Sequence, residues 1–298
     1  MARFGAVETG GTAVRCAWGA APGDLRDVET FPTGDDPEAV VERLGAYFDA
    51  HPVDAVGVAA FGPLEVDPVS PRWGTLLETP KPGWSHAPLG PRLRERCGVP
   101  VAIDSDVNAA ALAEVQVSPG APHAHPAAAL AEAGNEPGPL IYVTVGTGLG
   151  MGAVVGGRTL RGLLHPEAGH LRLRREPGDD FPGACPFHGD CLEGLTCGPA
   201  IAARVGADPA TLPPDHEAWA LEAVYLARGL AAMTLVLVPR TIVLGGGVGR
   251  RPGLREAVAA RLGDELAGSF DRAPMLRAPA LEHSGLAGAL ALAAGNCL

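Results

Sequence analysis

The sequence predicts an α/β protein made of two similar halves, and three observations support this fold class. Short apolar runs typical of strands alternate with amphipathic segments along a chain of 298 residues, which is long enough for two domains. Residues 4–18 indicate a strand, a glycine-rich turn and a second strand. Residues 140–155 repeat that pattern, which suggests an internal duplication.

The first hairpin has the composition of a phosphate-binding turn. Two apolar runs flank the sequence ETGGT at residues 8–12. Gly10 and Gly11 would allow backbone amides to approach a phosphate, and the two threonines add hydroxyl donors. An ordinary hairpin turn uses the same residue types, so this turn alone leaves both interpretations open.

The rest of the first half alternates helices with strands. Asp36 is expected to cap a helix that begins with a proline. A buried strand at residues 53–60 ends in FGP, and the long loop after it contains TPKPGW at residues 79–84. Loops of this length are usually functional. A short helix and a strand are expected at residues 91–97 and 99–103.

Two aspartates stand where that strand runs into a helix, in the sequence DSDVNAAA at residues 104–111. Strand ends in α/β folds line the active-site crevice, so Asp104 and Asp106 are candidates for a general base and a helix cap. For Asp106 a plain N-cap role is the alternative, since Asp is common at that position.

The second half begins after residues 118–139, a segment rich in Pro, Ala and Gly. This composition predicts a linker between the two halves. The turn of the second hairpin carries Gly146, Thr147 and Gly148. It is neither a Walker A loop, which needs Gly-Lys-Ser/Thr, nor a Rossmann fingerprint, because a strand rather than a helix follows the glycines. We expect further helices from residue 198 and at residues 217–238, 252–267 and 284–294. A further strand is expected at residues 241–244.

Four side chains between residues 165 and 193 have metal-ligand chemistry: His170, Cys185, His188 and Cys191. The last three form the tight knuckle C-x-x-H-x-x-C, and two Cys with two His satisfy tetrahedral zinc. The loop at residues 176–184 has little apolar content, so a metal would replace a missing core. Unrelated thiols and imidazoles are the alternative, and a disulfide is disfavoured in a reducing compartment.

Two carboxylates, Glu167 and Glu193, flank these ligands. A metal that fixes the ligands would also fix the acids, and rigid carboxylates are suitable hydrogen-bond acceptors for sugar hydroxyls. The alternative is that each is a solvated surface acid, which is the usual state of Glu.

The composition excludes several classes of partner. A formal net charge of -11 argues against a nucleic-acid-binding surface. The N-terminus MARFGAVETGG has no apolar signal region, and no run of eighteen apolar residues free of charge occurs. We therefore expect a cytoplasmic protein with no membrane partner.

Together these motifs resemble the ROK family (repressors, open reading frames and sugar kinases) of the actin-like ATPase superfamily, over essentially the whole chain. ETGGT resembles the family's first phosphate hairpin, and VTVGTGLGMG resembles its second. DVNAAALAE resembles the segment with the catalytic aspartate, and HPEAGH with the CPFHGDC knuckle resembles the family signature. LGGGV resembles the loop on the adenosine side.

The resemblance implies two ribonuclease-H-like α/β domains around a central cleft. These would comprise residues 1–117 and 118–283, with a last helix at 284–298 that packs back on the first domain. It also implies phosphoryl transfer from ATP to a sugar, with Mg²⁺ beside the phosphates, Zn²⁺ in the knuckle, and a homodimer as the expected assembly.

The resemblance also assigns roles to residues. Asp106 would be the general base, and Glu8 would order the waters of Mg²⁺. The residues expected to bind phosphates are Gly10, Gly11, Thr12, Thr147 and Gly148. Those expected to border the nucleotide are Gly198, Pro199, Gly246 and Gly247. Those expected to bind the sugar are Gly62, Pro63, Ser105, Asn108, Glu167, His170 (also a zinc ligand) and Glu193.

Within the family the chain resembles the bacterial fructokinase branch, which has Glu8 before GGT, the FGP turn, the TPKPGW loop and this knuckle. The implied acceptor is the 6-hydroxyl of D-fructose. The family's glucokinases have Asn before the catalytic Asp, whereas this chain has Ser105. The alternative is another ROK hexokinase, acting on glucose, mannose or an N-acetylhexosamine.

A ROK transcriptional regulator is the alternative from another class. Such regulators carry a helix-turn-helix before the first hairpin, and here that hairpin starts at residue 4, so we expect none. One departure from the family is Ala13, where a Lys commonly follows GGT. Arg15 would face the same side of the strand, and whether it compensates is open.

Overall fold

The computed structural model describes residues 2–117 and 138–295, so nearly all of the predicted linker lies outside the described residues. The chain forms two compact units. The described part of the first comprises residues 2–117, 152–166 and 280–295, and the second comprises 138–151 and 167–279. The chain returns from the second unit to the first between residues 151 and 152, which the linear division at residue 117 does not anticipate.

The first unit is built on a five-stranded sheet. Its strands are β1 (Phe4–Thr9), β2 (Ala13–Gly19), β3 (Arg26–Pro32), β4 (Ala55–Ala60) and β5 (Val101–Ser105). Their spatial order is β3-β2-β1-β4-β5, with β1, β4 and β5 parallel to one another and the β1–β2 and β2–β3 pairs antiparallel. The sequence did not predict β3, because every side chain in it except Phe31 is exposed and no apolar alternation marks it.

Three helices follow the strands of the first unit: α1 (Pro37–Ala50), α2 (Leu89–Cys97) and α3 (Asp106–Gln116). The predicted cap of α1 is confirmed, because the carboxylate of Asp36 accepts the backbone N–H groups of Glu38 and Ala39 at 3.0 and 3.2 Å. The predicted end of α2 is also confirmed. Gly98 takes a left-handed conformation there, with a φ of 67°.

The second sheet repeats the strand order of the first. Its strands are β6 (Leu140–Val145), β7 (Leu149–Val155), β8 (Arg158–Thr159), β9 (Thr241–Gly245) and β10 (Met275–Arg277). The order β10-β9-β6-β7-β8 matches that of the first sheet, with β9 parallel to both β6 and β10. The helices of the second unit are α4 (Leu192–Thr196), α5 (Gly198–Val205), α6 (Glu217–Leu237), α7 (Gly246–Gly249) and α8 (Leu254–Leu266).

A last helix, α9 (Ser284–Gly295), belongs to the first unit and packs on β1, β4 and α3. Glycines allow this close approach: a Cβ on Gly57 would lie 1.8 Å from the carbonyl oxygen of Ala289, and one on Gly288 would lie 1.9 Å from that of Ala109. The start of α9 is held by the buried carboxylate of Glu114, which accepts the hydroxyl of Ser284 at 2.9 Å. It also accepts the backbone N–H groups of Ala280 and Leu281.

The longest helix, α6, has the length and composition of a membrane span, with a mean hydropathy of 1.5 over an 18-residue window. However, 56% of that window is buried inside the structure, where the helix packs against α4 and α8. This is the pattern of a core helix, and it accounts for the strongly apolar composition of α6.

The loop before the knuckle is held by charged side chains, although it lacks apolar ones. The carboxylate of Asp179 pairs with Arg204 and accepts the hydroxyl of Tyr225 on α6. Arg175 donates to the carbonyl oxygens of Asp179 and Phe181, at 2.6 Å in each case. The expectation that a metal alone would replace the missing core was therefore incomplete, since an ion-pair network also anchors this loop to α6.

Glu222, in the second turn of α6, is buried, and its Oε1 has no hydrogen-bond partner within the described residues. Burial raises the pKa of Glu222 well above its ordinary value, while the nearby Arg204 acts in the opposite direction. The folded state therefore binds this proton more tightly than the unfolded state. Such a group reduces stability increasingly as the pH rises above the unfolded-state pKa.

We expect Glu222→Gln to raise the unfolding temperature at about pH 8, and to raise it less near pH 5, since Gln mimics the neutral carboxyl that folding favours. Thermal unfolding at the two pH values measures this. The control is Asp264→Asn, an exposed acid on α8, which should change little at either pH. An equal gain at both values would contradict the assignment of a raised pKa.

Candidate active site and metal cluster

The predicted site residues of the first unit follow adjacent strands at one edge of its sheet. Thr9 on β1 is in register with Ala60 on β4, and Ala60 is in register with Ser105 on β5. These strands are parallel, so the segments that follow them emerge at the same edge. The glycine turn at residues 10–12, the FGP turn at residues 61–63 and Asp106 are these segments.

The first glycine turn is held by two hydrogen bonds from Thr33, which leave its tip exposed. Thr33 donates its hydroxyl to the carbonyl of Gly10 at 2.7 Å, and its N–H to the carbonyl of Thr12 at 3.0 Å. Gly11 and Thr12 are exposed, as expected of residues that meet a ligand. Such an exposed run of backbone amides can hold an anion.

Glu8 and Arg15 are cross-strand partners beside this turn. Arg15 Nη1 lies 3.3 Å from Glu8 Oε2, so the two side chains share one face of the sheet. Arg15 therefore brings a cation close to the turn that lacks the usual lysine, but its charge is paired with Glu8.

The two aspartates of DSDV have different environments. Asp104 is completely buried, and its Oδ2 accepts Arg161 Nε at 3.0 Å and Nη2 at 2.8 Å. Its Oδ1 accepts the N–H of Ser105 at 2.8 Å and Asn108 Nδ2 at 3.0 Å. Asp106 is the first residue of α3 and is partly exposed. Of the two, only Asp106 has a carboxylate that a ligand can reach.

Ser105, rather than Asp106, caps α3. Its Oγ accepts the N–H of Asn108 at 3.3 Å, so the alternative of a plain N-cap role for Asp106 is wrong. Asn108 is also buried: its amide donates to Asp104 and to the carbonyl of Leu160, and accepts the N–H of Ala153. Both side chains have partners inside the unit, which differs from the expectation that they face a ligand.

Sequence reasoning missed His165, the first residue of HPEAGH. It is buried, and its Nε2 accepts the backbone N–H of Leu64 at 3.1 Å. Burial lowers the pKa of His165, which favours the neutral ring that this acceptor role requires. A Cβ on Gly62 would lie 2.9 Å from the same ring nitrogen, so His165 supports the FGP turn.

In the second unit the predicted nucleotide residues also come together at one edge of the sheet. Thr144 on β6 is in register with Gly245 on β9, so the turn at residues 146–148 and the glycines after β9 are neighbours. The N–H of Gly198, at the start of α5, donates to the carbonyl of Gly146 at 2.6 Å. Thr147, Pro199 and Gly247 are exposed around this junction. Gly246 has a φ of 82°.

Glu193 is fixed to the second glycine turn, because its Oε2 accepts the N–H of Leu149 at 2.9 Å. Glu167 lies near it in the same unit. Burial raises the pKa of Glu167 to about 7, and the charge of Glu193 adds to the effect. A carboxyl group that is partly protonated near neutral pH can both donate to and accept from a hydroxyl group.

The four predicted metal ligands form a cluster in which all ligand atoms lie within 4.8 Å of one another. Cys185 Sγ is 3.7 Å from His170 Nδ1 and 3.9 Å from His188 Nδ1, and Cys191 Sγ is 3.7 Å from His170 Nδ1. Zinc bonds to sulfur and nitrogen at tetrahedral angles place these atoms about 3.6 Å apart. The donor set and its spacing therefore fit Zn²⁺.

Similarity to known proteins identifies the family of this chain. The model of the ROK family matches residues 4–296. The chain belongs to the ROK family. Among its relatives are a fructokinase of Pediococcus pentosaceus, 36% identical over 97% of both chains, and a fructokinase of Zymomonas mobilis, 37% identical over 97% of this chain and 96% of that one.

A solved ROK structure shows the same fold. The ROK hexokinase of Thermus thermophilus aligns over 99% of each chain with a TM-score of 0.78 and 28% identity. The two five-stranded sheets with their shared strand order are thus those of the actin-like ATPase fold, as predicted.

Proposed function

We propose that this ROK protein is an ATP-dependent fructokinase, which transfers the terminal phosphoryl group of ATP to the 6-hydroxyl of D-fructose. The observation that carries the proposal is the 36% and 37% identity with two fructokinases over 97% of the chain. The same kinship supports our inference of a cytoplasmic enzyme, and we propose a homodimer as its assembly.

In this proposal Asp106 accepts the proton of the sugar hydroxyl. It is the accessible carboxylate at the sheet edge that also presents the exposed turn at residues 10–12. That turn and the turn at residues 146–148 supply backbone donors for the phosphates of ATP. Mg²⁺ bound with ATP would neutralise charge on the phosphates, with Glu8 beside it, and Gly198, Pro199, Gly246 and Gly247 would border the nucleotide.

The sugar would be held by hydrogen-bonding groups on rigid supports. Glu193 is fixed by Leu149, and Glu167 has a pKa that suits contact with hydroxyl groups. Gly62 and Pro63, together with His170, complete the proposed set. Ser105 and Asn108 support this site from inside the first unit, because both shape the start of α3.

Replacement of the proposed base tests the mechanism. We expect Asp106→Asn to keep the fold and to lower the turnover number by about 10²–10⁴, which is typical for loss of a general base. A coupled assay of ADP release measures this, and circular dichroism checks the fold. Asp264→Asn should keep its activity. Near wild-type turnover of Asp106→Asn would rule out the assigned role.

We propose that the cluster of His170, Cys185, His188 and Cys191 holds one structural zinc ion. Elemental analysis should then find about one zinc per chain. Cys185→Ser should lose the metal and raise the KM for the sugar, because Glu193 follows the cluster by two residues. Cys97→Ser, which changes a thiol outside the cluster, should retain both. Unchanged kinetics in a zinc-free preparation would contradict the structural role.

The preference of the enzyme among hexoses can be measured directly as kcat/KM. We expect a higher kcat/KM for fructose than for glucose or mannose. Two relatives that share 36% and 37% identity over 97% of the chain are fructokinases, and a site that leaves buried polar groups unpaired discriminates strongly against the wrong sugar. Specificity constants for the three hexoses decide this. A value for glucose equal to or above that for fructose would favour another ROK hexokinase.

A further inference from the structure

The first unit contains an open pocket of about 690 Å³ that the proposed reaction does not use. Its walls come from α2, β5, α3, α9, the β7–β8 hairpin and the loop around Trp73. The volume is in the range of small-molecule sites. Three arginines line the pocket, Arg94, Arg158 and Arg161, and its described lining residues include no Asp or Glu.

The charge of two of these arginines is not balanced nearby. Arg94 places its guanidinium carbon 4.4 Å from the centre of the Trp73 ring, which orients the side chain without neutralising it. Within the described chain neither Arg94 nor Arg158 forms an ion pair with a carboxylate. In a protein with a formal net charge of -11, this surface attracts anions locally.

Arg158 and Arg161 are presented on a fixed segment. Gly156 and Gly157, with φ values of 57° and 75°, make the two-residue turn between β7 and β8. Leu160 donates its N–H to the carbonyl of Ala153 at 2.8 Å, and its own carbonyl accepts from Asn108. A site that is already ordered loses little entropy when a ligand binds.

Arg161 connects the pocket with the start of α3. Its Nε and Nη2 donate to Asp104, whereas its Nη1 has no partner among the described residues, and the side chain is 32% exposed. The other oxygen of Asp104 holds the N–H of Ser105, the residue before Asp106. An anion on Nη1 would therefore alter the ion pair that positions this segment.

We propose that the pocket binds a small phosphate monoester with an apolar or ring-shaped body, and that its occupancy changes the rate of phosphoryl transfer through Arg161 and Asp104. The unpaired guanidinium groups supply charge for a phosphate dianion, and the hydroxyls of Ser70 and Thr159 supply further donors. Trp73 supplies a flat surface for the body. The effect on rate rests on the proposed function, whereas the binding does not.

Phenyl phosphate is a suitable probe, measured by titration calorimetry on the full chain with its nucleotide site filled by AMP-PNP and Mg²⁺. We expect the double variant Arg94→Gln/Arg158→Gln to bind it at least about tenfold more weakly, since each charge-assisted hydrogen bond contributes about that factor. Arg255→Gln, an arginine on α8 outside the pocket, should bind like the wild type. Phenol, which lacks the phosphate, should bind much more weakly.

Steady-state rates at saturating ATP and sugar test the second half of the proposal. We expect phenyl phosphate to change kcat in the wild type and not in the double variant. Equal affinity of the two proteins, or no binding by the wild type at millimolar concentrations, overturns the site. Binding without any change in rate overturns the connection to α3. Absence of kinase activity on every hexose overturns the proposed function and leaves the binding result valid.

Discussion

The buried carboxylate of Asp104 fixes the position on which the proposed chemistry depends. A charge without solvent is stable only where donors surround it, and Asp104 receives Arg161, Asn108 and the backbone of Ser105. Removing one partner of such a pair typically costs about 3–5 kcal/mol. This arrangement sets where β5 ends and α3 begins, and so it sets where the carboxylate of Asp106 emerges.

The same design serves both sheets, which share a strand order. In each, a hairpin with a glycine turn lies next to a parallel strand in exact register, so backbone donors collect at one edge of the sheet. The two edges carry different chemistry. The edge of the first sheet presents the accessible carboxylate of Asp106 beside its turn. The edge of the second sheet presents two helices that begin with glycine, α5 and α7, together with Glu193, whose carboxylate accepts the N–H of Leu149.

The sequence predicted local structure well, because the groups that form each cap, helix end or turn are neighbours in the chain. The cap at Asp36, the helix end at Gly98 and both hairpins depend on contacts within a few residues. The cluster of four candidate metal ligands was also predictable, since three of them fall within seven residues. Family resemblance supplied the proposed role of Asp106, because periodicity alone does not choose between the two aspartates.

What the sequence could not predict depends on distant partners. Arg161 is 57 residues from Asp104, so nothing near DSDV indicates which aspartate is buried. The family resemblance implied that Ser105 and Asn108 face a ligand, yet their partners lie inside the unit. The strand β3 has no apolar alternation, and its place is given by pairing with β2. The network around Asp179 joins a polar loop to α6 across 46 residues.

The helix α9 gives the protein a particular order of assembly during synthesis. The first unit takes its five strands from the first 105 residues, but the helix that covers Phe4, Ala6 and Ala55 is made only after the whole second unit. Until α9 leaves the ribosome, that apolar face of the sheet lacks the cover of α9, and Glu114 lacks the donors that Ala280, Leu281 and Ser284 supply. The strands of the first unit are thus translated before the second unit and are covered by α9 only after it, and a chaperone that shields this open face would have its longest engagement there.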